Sequence, residues 1–138
     1  MICTKTFTLE SDGHLEVINI TDRVKEFVSS SGIVSGIALV YYLHTTGAVV
    51  VTEHEAGIIV DLENVLEKLV SENDRYEHHL RNVDFNGNSH IRSIILGSSL
   101  TLPVINRELH LGRYQEILVL DMQVGREPRQ FLVQLMGE

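Results

Sequence analysis

Two short apolar runs, GIALVYYL at 36–43 and AVVVTE at 48–53, are separated only by HTTG, which must turn or bend the chain between them. Runs this short and this continuous read as strands buried on both faces, because the usual apolar-polar alternation is lost only where neither side meets water. A chain that places two such strands back to back has to build a sheet and cover it. The cover begins at once. Over 57–72 the residues Ile58, Leu62, Val65, Leu66 and Leu69 recur at helical spacing, while Asp61, Glu63, Asn64, Glu67 and Lys68 take the other face, which predicts an amphipathic helix.

The same reading extends to both ends. Strands are predicted over 2–9 and 15–20, joined through Ser11-Asp12-Gly13, whose residue types suit a tight turn. Thr21 or Asp22 is expected to cap a helix with Val24, Phe27 and Val28 on one face, ending near 29–32. Ser89 is expected to cap a short helix carrying Ile91, Ile94 and Ile95 and stopped by Gly97. Further strands follow over 100–105, 109–111, 116–123 and 130–136. Eight strands with two or three helices make an α+β fold, a single domain with a mixed, mostly antiparallel sheet or half-barrel. There are more apolar strand residues than so few helices can cover, so one sheet face is expected to pack against another subunit.

Composition excludes several classes of function. A chain of 138 residues buries one core rather than two. No apolar run approaches the ~20 residues of a membrane span, and the opening MICTKTFTLESDGH carries Lys5, Glu10 and Asp12, unlike a signal peptide. No membrane association is expected, and a cytoplasmic location is the default. A net charge of −8 with no basic run argues against nucleic acid as a partner. The single cysteine, Cys3, provides neither an internal disulfide nor a thiolate metal site.

The chemistry concentrates at 76–90, a polar stretch between the long helix and the apolar strands, read as an active-site loop because a connector this long is uncommon unless it is functional or disordered. His78 and His90 bracket it, and His44 ends a strand. Three imidazoles from separate elements form a facial set with an open position, as catalytic zinc sites do. Loop histidines that satisfy backbone carbonyls are the plain alternative. Asp84 and Asn86 are expected to orient the histidines or to bind a hard cation through oxygen. Glu53, an acid ending a valine-rich strand, faces either solvent or a site. The helix start at Ser89 with Arg92 one turn in favours a phosphate, and Ser98 and Ser99 add hydroxyls.

Taken together, HTT at 44–46, YEH at 76–78, D-x-N-x-x-S-H at 84–90, LGSSLTLPV at 96–104, LGRYQEILVLD at 111–121 and LVQLMGE at 132–138 resemble the YjbQ family over nearly the whole chain. The resemblance implies a homotrimer of α+β subunits and a weak, secondary thiamine-phosphate synthase activity. That reaction joins a hydroxymethylpyrimidine diphosphate to a thiazole phosphate with release of pyrophosphate. The family's polar positions fall on His44, Thr45, Thr46, Glu53, His78, Asp84, Asn86, His90 and Gln115.

Three departures stand out. Ala56 or Gly57 occupies the place of an aspartate, Tyr114-Gln115 replaces Trp-Gln, and an arginine-rich stretch is reduced to Arg126 and Arg129. The resulting expectation is a metal-binding enzyme for a small phosphorylated metabolite. A divalent metal sits at His44, His78 and His90, with Glu53, Asp84, His90 and Gln115 catalytic and Thr45, Thr46, Asn86, Arg92 and Ser98 binding substrate. Three imidazoles suit zinc, whereas diphosphate oxygens suit Mg²⁺. A non-catalytic module for a phosphorylated metabolite and a metal-dependent hydrolase remain as alternatives.

Overall fold

The computed structural model describes residues 1–82 and 85–138. In chain order its elements are β1 (Ile2–Ser11), β2 (Glu16–Asn19), α1 (Thr21–Ser30), β3 (Ser35–Tyr42), β4 (Gly47–Thr52), α2 (Ala56–Leu69), α3 (Glu77–Arg81), α4 (Gly87–Leu96), β5 (Ser99–Ile105), β6 (Glu108–Leu109), β7 (Glu116–Asp121) and β8 (Glu127–Gly137). The strands form two antiparallel sheets, one ordered β1-β8-β3-β5-β6 and the other β2-β7-β4. Between them lies one core, with Ala38, Val40 and Tyr42 from β3, Ile117 and Val119 from β7, Phe131 and Val133 from β8, and Val24 and Val28 from α1 all buried. The chain is therefore a single α+β domain whose sheets curve around a shared interior as a half-barrel.

Several local expectations need correction. Among the described residues there are four helices rather than two or three, because 77–81 form a helical turn inside what reads as a loop. Helix α4 starts at Gly87, not after Ser89. The Ser89 hydroxyl is buried and donates to Met122 O at 2.6 Å, so it pins the helix to the second sheet instead of capping it. Helix α1 is capped from outside by Asn19, whose Oδ1 accepts the Thr21 N–H at 3.0 Å. Helix α2 takes its cap from Glu55, whose carboxylate accepts the N–H groups of Gly57 and Ile58, each at 2.8 Å, two of the orphan donors of a helix start. Those bonds favour the ionised form and hold the Glu55 carboxyl below its ordinary range.

Strand β3 is not buried on both faces. Its residues alternate, with Ala38, Val40 and Tyr42 inward and Ile37 and Tyr41 outward. In register, Ile2, Met136, Ile37 and Pro103 stand abreast across four strands, and all four are exposed. This row is the apolar surplus in physical form, a sheet face uncovered by the chain's own helices. Helix α2 is also lightly covered, with Leu66 its one buried residue and Leu69 69 % exposed. Among the described residues no helix is long and apolar enough to cross a membrane.

Candidate functional site

The histidine cleft forms where the end of β3, the start of β4, helix α4 and the start of β8 meet. It consists of two adjoining hollows that share His44, Thr45 and His90. The smaller, 260 Å³, is completed by Thr46, Asn86, Gln123, Glu127 and Arg129. The larger, 480 Å³, is completed by Tyr41, Tyr42, Leu43, Ser93, Ile94, Gly97 and Ser98. Two contacts fix α4 and hence His90: Ser89 on Met122 O, and the Ser93 hydroxyl donating to Gly47 O at 2.6 Å. Gly97, at φ 94°, ends the helix in a conformation that L side chains rarely adopt and turns the chain into β5.

Hydrogen bonding sets the histidine tautomers. The Gln130 N–H donates to His44 Nε2 at 2.8 Å, so neutral His44 carries its proton on Nδ1. Burial first, and the Arg129 charge second, lower its pKa and keep it neutral. His78 Nε2 faces Asn86 Oδ1 at 2.9 Å and its Nδ1 faces Asn82 Nδ2 at 3.3 Å, which puts the proton on Nε2. Asn86 Nδ2 in turn donates to Gln123 Oε1 at 3.4 Å. The His78 and His90 rings lie 4.7 Å apart. His79 Nε2 accepts the Gly87 N–H at 2.9 Å, tying α3 to the first residue of α4.

Beneath the cleft lies a buried charged network that the sequence reading missed. Arg129 and Asp121 have side chains 1 % and 0 % exposed, and Arg129 Nε stands 3.0 Å from Asp121 Oδ2. Arg129 also donates to Glu127 Oε2 at 3.3 Å and to Gly125 O at 3.2 Å. Asp121 accepts from the Ser11 hydroxyl and, at 3.1 Å, from the Gln123 N–H. Among the described residues the buried Tyr42 hydroxyl has no partner in good hydrogen-bond geometry, although the Arg129 side chain lies beside it, and burial, then the Asp121 charge, push that phenol well above its ordinary range. One signal was present in the sequence: Asp121 closes the run ILVL, where an acid is out of place unless it is paired.

Other expected site residues lie elsewhere. Arg92 does not reach the cleft. Its Nε and one terminal nitrogen donate to Val70 O at 3.0 and 2.7 Å and it pairs with Glu67 at 3.1 Å, so its guanidinium closes the C-terminal end of α2. Glu53 and Gln115 share a separate 490 Å³ depression with Asp22, Lys25, His54 and Arg113. There the Gln115 side chain accepts the Gly112 N–H at 2.8 Å, and His54 contacts Asn19 at 3.2 Å. The six residues of β4 lie between this depression and the cleft, a span of roughly 20 Å. Asp84 falls outside the described residues. Among those described, no three His, Cys, Asp or Glu side chains stand close enough to hold a metal ion.

Comparison with known proteins decides the family. The sequence model of the "UPF0047 protein YjbQ-like" family matches residues 5–138. The chain belongs to the YjbQ family. A UPF0047 protein of Archaeoglobus fulgidus is 38 % identical over 122 residues, covering 88 % of this chain and 93 % of its own. One from Methanothermobacter thermautotrophicus is 35 % identical over 128 residues, covering 93 % and 88 %. The crystal structure of a YbjQ-like protein of unknown function from Sulfolobus solfataricus superposes with a TM-score of 0.90 at 28 % identity, covering all of both chains. A YjbQ/UPF0047 protein of Clostridium acetobutylicum does so with a TM-score of 0.87 at 27 % identity, over 96 % of this chain and 99 % of that one.

Proposed function

We propose that this YjbQ-family chain is an enzyme for a small phosphorylated substrate, working in the histidine cleft with a divalent ion at His78 and His90, and with thiamine-phosphate synthesis as a weak secondary activity. The observation that supports it most is the 4.7 Å between the His78 and His90 rings. Two imidazoles on one ion, with Zn–N of ~2.0–2.1 Å, have ring centres ~4.5–5.2 Å apart, so this pair needs little movement to share a ligand. Zinc fits the imidazoles better than Mg²⁺ does, while Mg²⁺ would enter with a diphosphate. Such an ion would supply charge stabilisation for a departing phosphate or pyrophosphate. To bind it, His78 gives up its hydrogen bond to Asn86 Oδ1. His44, with Nε2 taken by the Gln130 amide, serves as a neutral Nδ1–H donor on the wall rather than as a third ligand. Asp84 keeps its expected part, orienting the histidines or adding an oxygen ligand.

The exposed row of Ile2, Met136, Ile37 and Pro103 supports assembly as a homotrimer, since an apolar sheet face of this extent calls for a partner surface. In that assembly Glu53 and Gln115 join the cleft from a neighbouring copy, because the span of β4 separates them from the cleft of their own chain. A second reading, a binding module without turnover, draws on the engagement of His44 and of both His78 ring nitrogens in hydrogen bonds. One preparation separates the two. Protein made without an affinity tag is expected to carry about one equivalent of metal, to scatter light as three chains, and to form thiamine phosphate slowly, with His90→Ala losing metal and turnover together. Absence of metal, together with a His90→Ala variant unchanged in both respects, would sink the enzyme reading.

A further inference from the structure

We infer that Arg129 is the anion receptor of the histidine cleft, and that Glu127 is an internal counterion occupying the place of a ligand's phosphate. The inference rests on the preceding reading only for the class of ligand, a phosphate oxyanion, and needs no metal. Arg129 is the one cation lining the smaller hollow apart from its histidines, and it is almost wholly buried, so its orientation is fixed before any ligand arrives. Its charge has two partners of different kinds. Asp121 is fully buried and is itself held by the Ser11 hydroxyl and the Gln123 N–H, which makes it a permanent part of the fold. Glu127 is 65 % exposed, lies farther away at 3.3 Å, and among the described residues hydrogen-bonds to Arg129 alone. A pair with one end in water is held weakly and can exchange.

The guanidinium itself has capacity to spare. Among the described residues two of its five N–H donors are engaged by Glu127 and Gly125 O, the Tyr42 hydroxyl lies beside it without good hydrogen-bond geometry, and Nε, although 3.0 Å from Asp121, is too poorly aligned to form a hydrogen bond there. Guanidinium geometry matches the paired oxygens of a phosphate as well as those of a carboxylate. The walls suit an anion too. His44, Thr45, Thr46, Asn86 and Gln123 bring neutral groups able to donate, while among the described residues Glu127 is the only carboxylate lining this hollow. An arriving phosphate would therefore displace one exposed carboxylate and leave the buried Asp121 pair intact.

Titration calorimetry with inorganic phosphate and with pyrophosphate, in the presence of EDTA, tests this. The unmodified protein is expected to bind pyrophosphate, Glu127→Gln to bind it about three- to tenfold more tightly because the competitor is gone, and Arg129→Lys at least tenfold more weakly. If Arg129→Lys fails to fold, Glu127→Gln still decides. Equal or weaker binding by Glu127→Gln overturns the inference, as does binding that disappears in EDTA and returns with zinc, an outcome that would leave the metal reading standing. Binding that ignores EDTA and tightens in Glu127→Gln upholds it even if the purified protein holds no metal.

Discussion

Strand β4 has a histidine and a carboxylate near each end, and the two ends behave differently. At its start, His44 is half-buried, fixed in one tautomer by the Gln130 amide and lowered in pKa by burial and by Arg129, and the adjacent carboxylate, Asp121, is sealed against Arg129. Beyond its end, Glu53 and His54 are exposed, and His54 rests on the surface side chain of Asn19. The residue types are the same, and the difference is burial. Charge removed from water must be paired and oriented, and such fixed groups are the ones suited to binding or chemistry. Charge left in water is screened and free to move.

The largest effect expected to test that contrast comes from the buried end. Asp121→Ala leaves the Arg129 charge without its permanent partner and should cost about 3–5 kcal/mol, read from urea unfolding at neutral pH. The double variant Asp121→Leu with Arg129→Met removes both charges and is expected to recover most of that loss. A loss below about 1 kcal/mol for Asp121→Ala would match an exposed pair instead. The contrast between the two ends would then have no energetic basis.

Sequence made the strands legible because each is short, apolar and bounded by turn residues. All eight predicted strands are present, with ends that differ by a few residues. Burial was harder to read. The run at 36–43 reads as two-sided because Ile37, Leu39 and Tyr41 are apolar on the outward face, so the apolar-polar alternation that marks a one-sided strand is missing. In the candidate site, His44, Thr45, His90 and Ser98 line one cleft. Arg92 looked like the phosphate ligand because it lies one turn into a helix, but spacing along a helix does not show which way a long side chain leaves it. Arg129 is legible in the sequence only as one of two arginines near the end; its burial depends on the tertiary placement of Asp121 opposite it, which pairs the charge.

A smaller effect lies in the pH dependence of stability. His44 has its folded-state pKa lowered from the ordinary 6.5, so below that value the unfolded chain takes up a proton that the folded chain resists. Its contribution to stability is complete above pH 6.5 and is lost as pH falls from there through the folded value. Urea midpoints at pH 7.5, 6.5 and 5.5 should therefore drop less steeply for His44→Asn than for the unmodified protein. Parallel profiles would mean that His44 titrates as an exposed histidine does, and the two ends of β4 would then differ in position but not in chemistry.

The smallest effect on stability belongs to Glu53, and its value lies in what else it moves. Glu53→Gln removes an exposed charge without changing shape, so the unfolding midpoint should stay where it was, as for most surface substitutions. Turnover should nevertheless fall, by about 100-fold for a general acid or base, if the proposed trimer brings this end of β4 to the cleft of another copy. Mixing decides between copies and chain. Subunits carrying Glu53→Gln and subunits carrying His90→Ala, each inactive alone, are unfolded and refolded together so that mixed trimers form. Wherever an intact His90 cleft meets an intact Glu53 from its neighbour, a working site is rebuilt, and thiamine-phosphate synthesis should reappear in the mixture. If mixed trimers form and remain inactive, the two groups do not meet across subunits. Glu53 is then an exposed strand-end acid, and the chemistry belongs to the buried end of β4 alone.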